Sequence, residues 1–221
     1  MPMIQKYILF SILILSTIIN AQQNSIKNIS VDDGLPSNII YDIQQDAIGY
    51  LWIATDNGLV KYDGDDFTQI NKLKTTNLFV GKDIVYAGLE NGLFVKNKSR
   101  EQFFESKEIL KVFVHKKDIF IGTIEGIYSL KNDNLKPLKI NSTLDFSIIN
   151  DIIFCDDTVY IASNNGLWQL DSLQNPKSVH KIVEENIVSL EIFQNKVIAA
   201  TYKGNILIIE NEFIIKTVET L

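Results

Sequence analysis

Five times along this chain a short hydrophobic run reads into a small residue and then a glycine turn. The copies occupy residues 51–58, 85–92, 119–126, 159–166 and 197–204, and their glycines stand 34, 34, 40 and 38 positions apart. A unit of that length recurring through the chain confines it to a repeat architecture. The register holds in several columns at once. Four residues before each glycine stand Ala54, Gly88, Gly122, Ala162 and Ala200. Three before it stand Thr55, Leu89, Thr123, Ser163 and Thr201, and six before it Trp52, Tyr86, Phe120, Tyr160 and Ile198.

The run before each glycine is β-branched and aromatic, and a second apolar run follows, such as Leu59-Val60 or Leu167-Trp168. That pattern predicts a β-hairpin. Asn57-Gly58, Asn91-Gly92 and Asn165-Gly166 are dipeptides that accept positive φ, so a two-residue type I′ turn is expected at each. Apolar residues three and four apart, which a helical repeat requires, do not recur. Each unit also holds an earlier strand, as at 39–44, 148–154 and 187–193, and a later one, as at 67–70 and 213–218. Four strands per unit predict an all-β fold, a β-propeller of four-stranded blades. About five blades are expected, in units of roughly 35–72, 73–107, 108–140, 141–183 and 184–221. The alanine and glycine column suits such a stack, because a missing side chain lets the next blade approach.

Residues 1–21 resemble a secretory signal peptide: Lys6, an uncharged run over 7–19, then Asn20-Ala21. That run is shorter than the roughly 20 residues a membrane span needs, so no span is expected in the mature chain, 22–221. A periplasmic or secreted location follows. Cys155 is the single cysteine, so no internal disulfide forms, and its place at the end of an apolar strand predicts a buried, inert thiol. A net charge of −6 and a pI near 5.0 argue against a nucleic-acid partner.

The sequence Gly34-Leu35-Pro36-Ser37-Asn38, then Ile43, Asp46, Gly49, Leu51-Trp52-Ile53-Ala54-Thr55, Asn57-Gly58-Leu59 and Tyr62-Asp63-Gly64, resembles the first blade of the two-component regulator propeller family. The resemblance is specific in the first blade and looser in the later ones. It implies the sensor region of a hybrid histidine kinase or related regulator, outside the cytoplasm, with oligosaccharides as a frequent ligand class. The kinase or DNA-binding output of that family has no counterpart in residues 1–221, so this chain is expected to supply only the receiving part. The strand count points the same way. Residues 26–31 read as a spare N-terminal strand while the fifth unit already holds its own fourth strand, so an incomplete portion of a larger propeller is expected. The alternative is a closed five-bladed ring with residues 26–31 covering an edge.

First strands line a propeller's channel, and aligning them puts Asp42, Asn77, Lys111, Asp151 and Glu191 at comparable positions. Two readings stand: a ring that holds a polar ligand or a cation, and a water-filled channel whose polar lining needs no ligand. A second candidate set lies on the rim formed by the glycine hairpins and the loops between blades: Asn38, Asp56, Glu90, Glu125, Asn164 and Tyr202. Amides, carboxylates and an aromatic suit sugar hydroxyls and ring faces, although turn chemistry alone accounts for the asparagines beside glycine. No cofactor and no metal are expected. Asp63-Gly64-Asp65-Asp66 lacks the later glutamate of a calcium loop and reads as an acidic turn, and His115 and His180 have no partner at ligand spacing.

Three function classes follow. The first is an extracytoplasmic sensor propeller of a two-component system for a small polar ligand such as an oligosaccharide. The second is a propeller glycosidase or lyase using Asp42, Asp151 and Glu191, which requires two carboxylates roughly 5–10 Å apart. The third is a scaffold, or a dimer, joined to a protein partner through exposed blade edges.

Overall fold

The computed structural model describes residues 27–142, 148–210 and 213–219. The expected signal peptide lies outside them. The described chain folds into five antiparallel sheets, each of four consecutive strands. Blade 1 holds β1 (Ile40–Gln45), β2 (Leu51–Thr55), β3 (Gly58–Tyr62) and β4 (Phe67–Gln69). Blade 2 holds β5 (Thr75–Val80), β6 (Ile84–Leu89), β7 (Gly92–Asn97) and β8 (Glu101–Glu105). Blade 3 holds β9 (Ile109–His115), β10 (Asp118–Thr123), β11 (Gly126–Lys131) and β12 (Asn134–Pro137). Blade 4 holds β13 (Ile149–Cys155), β14 (Thr158–Ser163), β15 (Gly166–Leu170) and β16 (Val179–Val183). Blade 5 holds β17 (Ile187–Phe193), β18 (Lys196–Thr201), β19 (Ile206–Glu210) and β20 (Phe213–Val218). The first strands pack in the order β1, β5, β9, β13, β17, which makes them the inner strands of a propeller.

The core lies between blades. Each junction joins one face of a blade to the facing side of the next, and alternation along the strands supplies both sides. Trp52, Ala54 and Leu59 of blade 1 pack on Leu78, Val85, Ala87 and Leu89 of blade 2. Tyr86, Leu93 and Val95 then meet Ile109, Val112 and Ile121 of blade 3. Phe120 and Ile127 meet Ile149, Ile152, Val159 and Ile161, and Tyr160, Ala162 and Leu167 meet Ile187, Leu190, Val197 and Ala199. Each such leucine or isoleucine contributes about 1.5–3 kcal/mol by leaving water.

The small-residue column is explained at these junctions. A Cβ added at Gly88 would stand 2.6 Å from Ile109 Cγ2, and one at Gly122 would stand 2.7 Å from Ile149 Cγ2. The residue that opens each inner strand is therefore a knob, and the small residue of the preceding blade is its hollow. Thr75, Ile109, Ile149 and Ile187 are all fully buried.

The glycine turns differ from the type I′ expectation. Thr55 pairs with Gly58, so the loop is Asp56-Asn57 and the glycine opens the next strand. The positive φ falls on the glycines, from 92° at Gly204 to 157° at Gly166, and not on the asparagines before Gly58, Gly92 and Gly166. Glycine is required there because a side chain would overlap the backbone carbonyl of Asn71 at Gly58, of Phe104 at Gly92 and of Val183 at Gly166. The hydroxyl column holds the same turn: Thr55 Oγ1, Thr123 Oγ1 and Ser163 Oγ donate to the carbonyls of Gly58, Gly126 and Gly166 at 2.8, 2.9 and 2.9 Å. Two-residue turns with both φ positive occur instead at Asn132-Asp133 and Gln194-Asn195.

The expected N-terminal strand is absent over residues 27–31. Ser30 and Asp33 form a capping box around a 3-10 turn, Val31–Asp33, which Gly34 ends at φ 101°. That local bonding gives the N–H groups of Ser30, Asp32, Asp33 and Gly34 acceptors without a sheet partner. Ile29 and Leu35 from this segment pack on Ile53, Val60 and Tyr62, on the face of blade 1 that has no preceding blade.

Candidate functional site

Inner strands have one edge with no strand beside it, so their N–H groups need other acceptors. The polar column supplies them across each junction. Asp42 Oδ2 of blade 1 accepts from Leu78 N at 2.8 Å and from Asn77 Nδ2 at 3.0 Å. Asn77 Oδ1 of blade 2 accepts from Val112 N of blade 3 at 2.7 Å. Lys111 has no acceptor to offer, and its Nζ instead pairs with Asp151 Oδ1 of blade 4 at 2.8 Å. Asp151, which is buried, accepts from Ile152 N at 2.8 Å and, through Oδ2, from Leu190 N of blade 5 at 2.9 Å. Gln44 adds a second rung, donating to Leu78 O at 2.7 Å and accepting from Val80 N at 2.9 Å.

Four of the five channel candidates thus belong to one interblade latch. The fifth, Glu191, is out of register. Asp42, Asn77, Lys111 and Asp151 pair with the small residues Ala54, Gly88, Gly122 and Ala162, and the residue paired with Ala200 is Ser189. Glu191 pairs with Ile198 and matches Gln44, which pairs with Trp52. The pairing register shifts at every junction of knob and latch, so the latch residue stands two positions after the knob. The spacing Ile40-Asp42, Thr75-Asn77, Ile109-Lys111, Ile149-Asp151, Ile187-Ser189 is readable in the sequence and identifies Ser189.

The rim forms where expected. Asp56 N, Glu90 N, Asn164 N and Tyr202 N donate to the carbonyls of Ile39, Lys74, Ile148 and Asn186 at 3.2, 3.2, 3.1 and 2.8 Å, tying each hairpin turn to the loop before its inner strand. In blade 3, Ile124 N donates to Glu108 O at 3.2 Å. The six rim candidates are not equivalent. Asn38 Oδ1 accepts from Val31 N at 3.2 Å, and Asn164 Oδ1 accepts from Ile148 N at 3.3 Å, so both serve local structure. Glu125 pairs with Lys107 at 3.1 Å, while Glu90 is exposed and Tyr202 is 77% exposed.

Asp56 belongs to a larger group. Its carboxylate accepts from Tyr41 Oη at 3.1 Å, Lys74 Nζ lies 5.3 Å from the Tyr41 ring centroid, and Lys74 pairs with Glu108 at 3.0 Å. Tyr41, Lys74 and Glu108 are absent from the sequence-derived set. Tyr41 lies between the knob Ile40 and the latch Asp42, at the irregularity in the strand that carries its side chain off the channel column. Burial, and then the bond to Asp56, raise its phenol above the ordinary value, so Tyr41 remains a donor at neutral pH. The bond to Glu108 holds the Lys74 ammonium above its usual range. The result is an exposed aromatic face beside carboxylates and an ammonium across blades 1, 2 and 3.

Other candidates are structural. Asp63 Oδ1 accepts from Asp65 N and Asp66 N at 3.0 and 2.8 Å, closing a turn. The His115 ring stacks on Phe154 with centroids 3.8 Å apart. Cys155 is half-buried, its thiol raised by burial and by Asp156. Among the described residues no group of three or more His, Cys, Asp or Glu side chains could hold a metal, and no helix is long and apolar enough to cross a membrane.

The chain is similar to known proteins in sequence over its N-terminal part and in fold over most of its length. A segment 44% identical over 62 residues, 27% of this chain and 4% of the relative, occurs in Histidine kinase P4 of Formosa agariphila. The fold is that of the extracellular domain of BT3049 from B. thetaiotaomicron, assigned to a hybrid two component system, with TM-score 0.73 and 19% identity over 84% of this chain and 30% of that one. The extracellular domain of BT4673 from the same organism, assigned to a one component system, superposes with TM-score 0.63 and 20% identity over 77% of this chain and 26% of that one. The chain therefore spans a small part of each relative. Residues 34–57, which run from the N-terminal turn through β1 and β2, match the family described as the two component regulator propeller.

Proposed function

We propose that this chain is the ligand-receiving propeller of a two-component signalling system, working outside the cytoplasm on a small polar ligand of the oligosaccharide class. The match of residues 34–57 to the two component regulator propeller carries the reading. The resemblance of residues 1–21 to a secretory signal peptide and the extracellular origin of the BT3049 and BT4673 folds support the location. The rim group supports the ligand class. Tyr41 offers a ring face, and Asp56, Lys74 and Glu108 offer acceptors and donors at its border, the combination a sugar ring with hydroxyls requires. The channel column is a weaker candidate, because Asp42, Asn77 and Asp151 already accept from backbone N–H groups. That engagement also weakens the glycosidase reading: Asp151 bonds Lys111 and two N–H groups, which leaves it poorly placed as a free acid or base. Calorimetric titration of residues 22–221 with a panel of neutral and acidic oligosaccharides tests the proposal. Binding that Tyr41→Ala weakens by tenfold or more supports it; no binding across the panel, or hydrolysis of a panel member, contradicts it.

A further inference from the structure

Trp52, Tyr86 and Phe120 each stand six residues before a hairpin glycine and face the junction to the next blade. Their surroundings differ. Trp52 donates through Nε1 to Asp46 at 3.0 Å. Phe120 has no polar atom to satisfy, and Leu173, from the loop 171–178 of blade 4, is buried in the same core cluster. Tyr86 has neither arrangement. It is 8% exposed, and its hydroxyl bonds no group among the described residues. A hydroxyl buried to that extent needs a partner, and burial raises the phenol above its ordinary value, so it stays a donor at neutral pH. The turn of blade 3 that corresponds to 171–178 is only Asn132-Asp133, both at positive φ. It is too short to drop a residue into the junction as 171–178 does.

The result is a groove of about 620 Å³ between blades 2 and 3, within the size range of small-molecule sites. Its walls are apolar, with Ile84 and Val95 from blade 2 and Ile119 and Leu130 from blade 3. Tyr86 and Gln102 set polar groups among them, and the Gln102 amide, like the Tyr86 hydroxyl, is unbonded among the described residues. At the lip Arg100 of blade 2 pairs with Asp133 of blade 3 at 3.2 Å, and Lys131 pairs with Asp118 at 3.6 Å. Lys117 has no such partner among the described residues, so the lip carries one positive charge beyond its two ion pairs. We propose that this groove binds a small organic acid with a flat apolar body, its carboxylate at Lys117 and a hydroxyl at its far end on Tyr86 and Gln102. An aromatic acid that bears a phenol has all of these parts. Its ring lies between the apolar walls, while its hydroxyl donates to Gln102 Oε1 and accepts from Tyr86 Oη. A sugar would instead set hydroxyls against those walls without partners. The groove is separate from the rim: Lys117 lies in the turn after β9, whereas the rim carries the loop before that strand.

The test uses probes that differ by one group: para-coumarate, cinnamate, which lacks the phenol, and para-coumaryl alcohol, which lacks the charge. Calorimetry and assigned NMR spectra of residues 22–221 are expected to show saturable binding of para-coumarate. Signals of Tyr86, Gln102 and Lys117 shift, and those of Tyr41 and Asp56 on the rim do not. Cinnamate and the alcohol are expected to bind about 3-fold more weakly or worse, the range for one hydrogen bond or one exposed charge. Tyr86→Phe, which keeps the ring, is expected to weaken para-coumarate to the level of cinnamate and leave cinnamate unchanged. Lys117→Gln is expected to remove the preference for the acid over the alcohol. Should Tyr86→Phe fail to fold, Gln102→Met reads the same contrast between para-coumarate and cinnamate. No saturable binding of para-coumarate, shifts on the rim in place of the groove, equal affinity for the three probes, or equal losses for para-coumarate and cinnamate in Tyr86→Phe overturns the proposal. The oligosaccharide titration is untouched by any of these outcomes, because it reads the other end of the blades.

Discussion

Gly122 of blade 3 lies so close beneath Ile149 of blade 4 that a Cβ at position 122 would stand 2.7 Å from Ile149 Cγ2. Contact at that range needs one blade to move, because the Ile149 side chain is fully buried and β-branched. Gly122→Ala is expected to destabilise the protein by about 1–3 kcal/mol, read as a lower urea midpoint with an unchanged m-value. Gly88→Ala, against Ile109, is expected to behave alike.

At Gly92 two constraints coincide: φ is 154°, and a Cβ would overlap the Phe104 carbonyl. Gly64 has φ 111° but open space around it. Gly64→Ala therefore isolates the conformational cost, about 1–2 kcal/mol, and Gly92→Ala is expected to exceed it clearly in the same denaturation assay.

Such contrasts mark what was legible in the sequence. The strand order, the five units and the buried small-residue column all follow from apolar periodicity, since each reports on one face of one strand. The glycine's role is not legible locally, because the carbonyl that excludes a side chain at Gly58 comes from Asn71, across the sheet and outside any local turn rule. Glu191 stands outside the column for a related reason. The shift of register after each knob is a backbone feature, so counting from apolar neighbours leads to Glu191 and counting from the knob leads to Ser189. Tyr41, Lys74 and Glu108 lie 33 and 34 positions apart and meet only through the stacking of three blades, which no single unit displays.

Asp151 holds Lys111 on one oxygen and Leu190 N on the other from a buried position. Asp151→Ala leaves the ammonium and two N–H groups without their acceptor and is expected to cost about 3–5 kcal/mol. Asp151→Asn retains an acceptor for Leu190 N and is expected to cost less, with amide exchange at Leu190 rising more in the alanine variant than in the asparagine one.

Asp46 brackets the turn into β2, accepting from Ile48 N, Gly49 N and Tyr50 N at 3.0, 3.1 and 3.1 Å and from Trp52 Nε1 at 3.0 Å. Burial opposes ionisation, but the bonds from Trp52 and the three amides prevail and hold the carboxyl below its ordinary value. A depressed folded pKa means the unfolded chain binds the proton first, so this stabilisation is present above the unfolded value of about 3.9 and is lost as pH falls through the folded one. Asp46→Asn is expected to narrow the difference in urea midpoint between pH 7 and pH 3, and the loss relative to the parent to be greater at pH 7.

The central functional claim places the ligand on the rim across blades 1, 2 and 3. It is tested most directly by following assigned amide and side-chain NMR signals of residues 22–221 during titration with the oligosaccharide panel. The account predicts saturable shifts at Tyr41, Asp56, Lys74 and Glu108 while the signals of Leu78, Val112 and Leu190, whose N–H groups the channel column engages, stay in place. Shifts confined to the channel column, with Tyr41 and its partners unmoved, would contradict it.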